Sequence, residues 1–180
     1  MEIEHSTSNE RLNNMNRFIS HAPPGIILEV GVWKGGSLRF LAENHPKRRF
    51  IGIDTFEGMP AHGEFDNYHR RGDFGNTSFE EVVQNTVDLP NVTLVKGEFS
   101  NLNIAISEQC AMIHCDVDLY ESTIAVFRRM EHRVVHRGRI YCDDAFQPTC
   151  EGATLALCEF VAQTKRIPRF DDGMHVYFEF

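Results

Sequence analysis

A chain of 180 residues suits one domain, 1–180, with a sizeable core. Its formal charge of −8 argues against nucleic acid as the main partner, because phosphate binding needs a basic surface; Arg70-Arg71 and Arg128-Arg129 read as solvated exceptions. No apolar run approaches the ~20 residues of a membrane span, and the polar, acidic start Met1-Glu2-Ile3-Glu4-His5 does not read as a signal peptide. The five cysteines include no CxxC pair. The expectation is therefore a reducing, cytoplasmic protein without a zinc site.

In chain order, Thr7 and Glu10 have capping-box spacing, and Leu12, Met15, Phe18 and Ile19 share one helical face. This predicts a helix over residues 8–20, within an N-terminal segment 1–24 closed by Pro23-Pro24-Gly25. Ile26-Ile27-Leu28-Glu29-Val30 reads as a buried strand, and residues 31–36 as a turn into a helix from Ser37. A second strand over 49–53 ends at Asp54. Residues 55–77 carry glycine, proline, histidine and charge without periodicity, which predicts a lid or binding loop. A helix over 78–87 follows, then strands over 91–95, 111–115 and 139–142. Helices are expected over 121–132 and 151–163. Residues 166–170 and 174–180 form a closing hairpin around Asp171-Asp172-Gly173. Strands alternating with helices imply a parallel sheet, to which the hairpin adds one antiparallel strand.

Carboxylates stand where predicted strands end: Asp116 after Ala111-Met112-Ile113-His114-Cys115, and Asp143-Asp144 after Arg139-Ile140-Tyr141-Cys142. Ligands of open α/β sheets bind outside this edge. Acids gathered there repel one another unless a cation sits among them, and Mg²⁺ takes oxygen ligands while keeping positions for water or substrate. Adjacent acids are also commonly a solvated turn.

Glu29-Val30-Gly31-Val32-Trp33-Lys34-Gly35-Gly36-Ser37 is a strand-to-helix turn whose glycines allow close backbone approach to a ligand. The spacing is not GxGxxG, which disfavours NAD. Glu29, an acid in an apolar strand, needs a partner such as a ligand ammonium or a structural salt bridge. Trp33 reads equally as a ligand wall or as packing. Asp54 can accept from both ribose hydroxyls of an adenosine ligand, or serve as a loop hydrogen-bond acceptor. In Lys96-Gly97-Glu98-Phe99-Ser100, Phe99 could pack on an adenine with Gly97 leaving room, or be a core residue in a turn. Asp118 can converge with Asp116 as a DxD metal pair or cap the following helix; a supporting role is favoured. His62 and His69 read as solvated lid histidines, and His114 as a core histidine.

Taken together, the runs ILEVGVWKGGS, FIGIDTFEGMP, GDF, NVTLVKGEF, DVDLYEST and YCDDAF resemble the macrocin-type sugar O-methyltransferases, from about residue 26 to 180. The fold this implies is α/β, the Rossmann-like class I methyltransferase layout. It has a seven-stranded, mostly parallel sheet with a C-terminal antiparallel hairpin and helices on both faces. The resemblance also implies S-adenosylmethionine held by Glu29, Gly31, Trp33, Asp54 and Thr55, with Gly97 and Phe99 near its adenine and Asp116 close by. Asp116, Asp143 and Asp144 match the family's magnesium ligands, and Asp116 matches its proposed general base, a role a lid histidine could also fill. Val117 stands where the family usually has glycine.

The expected reaction is methyl transfer to a hydroxyl of a sugar or glycoside with neighbouring hydroxyls. The alternatives are a metal-dependent nucleotide-sugar glycosyltransferase, an NAD-dependent oxidoreductase and a non-catalytic S-adenosylmethionine-binding module. The acceptor, the methylated hydroxyl and association into a homo-oligomer stay open at this level.

Overall fold

The computed structural model describes residues 3–102, 106 and 108–180; Met1 and Glu2, part of the stretch judged not to be a signal peptide, lie outside them. Seven strands, β1 (Ile26–Val30), β2 (Phe50–Asp54), β3 (Val92–Lys96), β4 (Cys110–Cys115), β5 (Val134–Cys142), β6 (Arg169–Phe170) and β7 (Val176–Glu179), form one sheet in the order β3-β2-β1-β4-β5-β7-β6. The first five are parallel, β7 runs antiparallel between β5 and β6, and the predicted layout is confirmed. The strand order reverses direction between β1 and β4, the switch point at which such sheets open a ligand crevice.

Period-two alternation sends residues of each strand to opposite faces. Ile27, Phe50, Met112, Tyr141 and Tyr177 pack under α1 (Asn9–His21), α2 (Gly36–Asn44) and Val82 of α3 (Phe79–Asn85). Leu28, Ile53, Ile113, Ile140 and Phe178 pack under α4 (Tyr120–Met130) and α5 (Glu151–Thr164). Strands covered on both sides read as unbroken apolar runs, which is why they were visible in the sequence. Strand β5 is longer than expected, beginning at Val134 directly after a 3-10 turn, Glu131–Arg133.

The cap of α1 differs from the expectation. Ser8, not Thr7, is the N-cap, its hydroxyl accepting from Arg11 N at 3.4 Å. Thr7 is instead buried, and its hydroxyl goes to Asp116.

Residues 55–77 contain no helix or strand, as predicted for a lid, and they are tied down at several points. Asp66 accepts from the amides of Tyr120 (2.9 Å) and Gly63 (3.1 Å). Thr77 donates its hydroxyl to Trp33 O at 2.8 Å, and Asn76 accepts from Trp33 Nε1 at 2.9 Å. Among the described residues no helix is long and apolar enough to cross a membrane.

Candidate active site

The cavity at the switch point has a volume of about 300 Å³, at the small end of the range for ligand pockets. One wall comes from the ends of β1, β2 and β3 and the lid (Gly31, Trp33, Asp54, Met59, Phe99), the other from Asp116, Asp118, Asp143 and Asp144.

The acidic wall follows from register. Val30, Cys115, Cys142 and Val176 are paired across four strands. The ladder continues one residue further, with Asp116 N donating to Val30 O and Asp143 N to Cys115 O, each at 2.9 Å. Gly31, Asp116, Asp143 and His175 therefore form the next row. A side chain at Gly31, at φ +90°, would run into the Asp116 carbonyl. The glycine is needed for this strand-to-strand approach, whereas the sequence suggested approach to a ligand.

Asp143 lies on the α1 face and is surrounded by cations and imidazoles. Arg11 of α1 donates to its carboxylate Oδ2 at 3.1 Å and to its carbonyl at 2.6 Å. His175 Nε2 is 3.4 Å and His114 Nε2 3.6 Å from its Oδ1, without hydrogen-bond geometry. Burial opposes ionisation of Asp143, but the His114 imidazolium and the Arg11 guanidinium overcome it and hold its pKa below the usual value. Burial likewise opposes charge on His114, and Asp143 and Glu29 overcome it, raising its pKa. His175, depressed to about 3 mainly by burial, stays neutral. Glu29, for which a ligand ammonium and a structural salt bridge were both open, belongs to this network: its Oε1 accepts from the Ser37 hydroxyl and from His114 Nδ1 at 3.3 Å, while its Oε2 is buried without a partner. Ser37 lines the cavity.

Asp144 contacts the opposite set. Its Oδ2 accepts from Val117 N (3.0 Å) and Asp118 N (2.8 Å), fixing the turn after β4. Burial, then repulsion from Asp118, Asp116 and Asp143, pushes its pKa well above the carboxylate range. Asp116 is raised as well, by burial and by Asp143. Its Oδ2 accepts the hydroxyls of Ser6 (3.0 Å) and Thr7 (3.3 Å).

Asp116, Asp143 and Asp144 each bring one oxygen to within 4.8 Å of the others. This donor set fits a hard divalent cation. The Asp143 Oδ1, buried and without a hydrogen-bond partner, lies instead between His114 and His175, which with Asp143 form a separate group of potential metal donors. Asp118 does not join Asp116 in a DxD pair and does not cap α4. At φ +58° it turns toward His69 (3.5 Å) and Cys150 (3.3 Å), while the lid's Asp66 accepts from the first amide of α4. His69 is buried there rather than solvated.

On the opposite wall, Asp54 serves chiefly as the loop acceptor. Its Oδ2 takes the amides of Val32 (2.7 Å) and Trp33 (2.9 Å), and its Oδ1 takes Phe56 N (2.7 Å) and the Thr55 hydroxyl (3.3 Å). Thr55 also donates to Gly58 O at 2.7 Å. Trp33 faces the cavity at φ +47°, braced edge-on by Phe74. Phe99 is buried in the core and lines the cavity, with the Arg129 guanidinium 4.6 Å from its ring centroid. Gly97 lines the cavity, and a Cβ there would lie 2.5 Å from Leu102 Cδ2.

Sequence reading missed Arg11, His175, Asp66 and Cys150. Only Asp66 carried a signal, an acid inside a glycine-rich lid; the other three depend on which distant elements meet.

Residues 5–178 match the Macrocin-O-methyltransferase (TylF) family. Demethyldecarbamoylnovobiocin O-methyltransferase of Streptomyces niveus is 32% identical, the match covering 80% of this chain and 63% of that protein, so the chain spans under two thirds of this relative's length. The solved structure of the O-methyltransferase NovP superposes with a TM-score of 0.78 at 28% identity, covering 94% of this chain and 79% of that one. The calicheamicin methyltransferase CalS11 superposes with a TM-score of 0.80 at 22% identity, covering 95% and 77%. The chain belongs to the macrocin O-methyltransferase family.

Proposed function

We propose that the protein transfers the methyl group of S-adenosylmethionine to a hydroxyl of a sugar or glycoside with neighbouring hydroxyls, with Mg²⁺ held by Asp116, Asp143 and Asp144. The observation that carries this reading is one cavity with Trp33, Asp54, Met59 and Phe99 on one side and three converging carboxylates on the other. Family membership and the names of the sugar-modifying relatives support it.

On the cofactor side, Trp33, Met59 and Phe99 supply apolar surface for a nucleoside. A ribose hydroxyl would take the place of the weak Thr55 bond on Asp54 Oδ1, since the other acceptor positions are held by backbone amides. S-adenosylmethionine supplies an electrophilic methyl, and a bound magnesium ion would supply Lewis acidity and a template for adjacent hydroxyls.

The chain's own residues handle the proton. Asp116 Oδ2 already accepts two hydroxyls, from Ser6 and Thr7. An acceptor hydroxyl that replaces them meets the same oxygen and can give up its proton there. Neither His62 nor His69 lines the cavity, which favours Asp116 over a lid base. Holding the two reactants in line can account for ~7–11 kcal/mol of barrier, and residues 55–77 would limit water access.

Calorimetry with S-adenosylhomocysteine and UDP tests the cofactor reading. We expect binding of the first and none of the second; the reverse would favour a glycosyltransferase. Methyl transfer to a panel of vicinal-diol glycosides should vanish with excess EDTA and return with Mg²⁺. Full turnover in EDTA would refute the metal role.

A further inference from the structure

The geometry points to a second metal site, of zinc type, formed by His69, Asp118 and Cys150, which pins the lid to the sheet edge when a borderline-soft divalent cation is present. It lies beside the carboxylate row but is distinct from it in donor chemistry.

The three donors come from three separate segments: His69 from residues 55–77, Asp118 from the turn after β4, and Cys150 from the N-cap of α5. Cys150 Sγ is 3.6 Å from His69 Nε2 and 3.3 Å from Asp118 Oδ1, and His69 Nε2 is 3.5 Å from Asp118 Oδ1. Zinc binds histidine nitrogen and carboxylate oxygen near 2.0–2.2 Å and cysteine sulfur near 2.3 Å in tetrahedral geometry. Those bond lengths place the donor atoms roughly 3.3–3.6 Å apart, the separations found here on all three edges of the triangle. His69 and Cys150 are buried, and Asp118 is partly exposed. Asp118 and Cys150 line the cavity, so the fourth position faces a space that water or another donor can reach.

Donor type separates the two sites. The group Asp116, Asp143 and Asp144 is all oxygen and suits magnesium. A set of imidazole, thiolate and carboxylate selects zinc or cobalt over magnesium. The cysteine binds as thiolate, releasing its proton to solvent. Zinc sites read from sequence usually rest on CxxC spacing. This one escapes that rule because its donors are 69, 118 and 150 in the chain. Its effect follows from position: only His69 belongs to the lid, so occupancy fixes that loop against the body of the protein.

Cobalt titration of the full, EDTA-treated protein tests the proposal. Wild type should develop a near-ultraviolet sulfur-to-cobalt charge-transfer band, which Zn²⁺ bleaches and excess Mg²⁺ leaves intact. Cys150→Ser and His69→Ala should each lose the band, and Cys158→Ser, which alters the exposed cysteine, should keep it. His69→Ala lies on an irregular segment and keeps the assay readable if Cys150→Ser fails to fold. Zn²⁺ should also slow amide exchange across residues 66–73 in wild type but not in His69→Ala. No band in wild type, a band that survives Cys150→Ser, or a band that Mg²⁺ removes would each overturn the proposal.

Discussion

Asp143 and Asp144 are neighbours in sequence at the end of one strand, yet they live in opposite electrostatic settings. Asp143 is ringed by Arg11, His114 and His175, and it stays ionised although buried. Asp144 faces Asp116 and Asp118 and is disfavoured as an anion. The difference arises from what each carboxylate meets just past the end of β5: Arg11, His114 and His175 for Asp143, the turn after β4 and its acids for Asp144. One acid is pre-ionised by the protein, and the other waits for a cation. A site built this way has a fixed anchor and an adjustable partner.

The comparison is sharpest when each acid is neutralised. Asp143→Asn leaves a protonated His114 and Arg11 buried without their shared anion, which should cost about 3–5 kcal/mol, or roughly 6–20 °C in Tm. Asp144→Asn keeps an oxygen for the Val117 and Asp118 amides while removing a repelled charge. It should raise the Tm of the metal-free protein. Both variants should lose the Mg²⁺-dependent rise in Tm. Thermal melts in EDTA and in Mg²⁺ check both signs. Equal destabilisation by the two substitutions would refute the contrast.

A smaller effect is expected at Arg11. Arg11→Met keeps most of the apolar stem but removes a charged hydrogen-bond donor from Asp143. The expected loss is about 1.5–3 kcal/mol, the range for bonds to charged groups. The substitution should also make Asp143 behave more like Asp144, so denaturant melts of the double variant Arg11→Met with Asp143→Asn should show a cost well below the sum. Additive costs would mean that Arg11 acts elsewhere.

The three strand-end carboxylates were legible because each follows an apolar run, and buried parallel strands leave such runs. Their partners were not. Arg11 reaches Asp143 across 132 positions, and His175 arrives only because β7 pairs antiparallel with β5. Glycine marks close approach here, and part of that approach is internal: Gly31 admits the Asp116 backbone and Gly97 admits Leu102, while both also line the cavity. One-letter patterns cannot distinguish a ligand from a packing contact there, since both demand the missing Cβ. Asp118 illustrates the same limit for caps. Its spacing suits α4, but a left-handed backbone turns it away and Asp66 takes over.

That substitution of one cap for another yields the smallest effect and a test of how the lid is held. Asp66 joins two elements at once, because its Oδ1 accepts from Tyr120 N at the start of α4 and its Oδ2 from Gly63 N within the lid. Gly152 at the start of α5 packs against the same carboxylate, with no room for a Cβ. Asp66→Ala should therefore cost about 0.5–2 kcal/mol, the usual price of a lost helix cap. Asp66→Asn, which retains an acceptor oxygen for Tyr120 N, should recover much of it. Proteolysis should discriminate further: cleavage within residues 55–77 should accelerate in Asp66→Ala while the sheet stays protected, because loss of this anchor frees the lid without disturbing the carboxylate row. Acceleration confined to the sheet, or none at all, would mean that the lid's other contacts, among them those of Trp33 with Asn76 and Thr77 and of Asn67 with Glu151, hold it without Asp66.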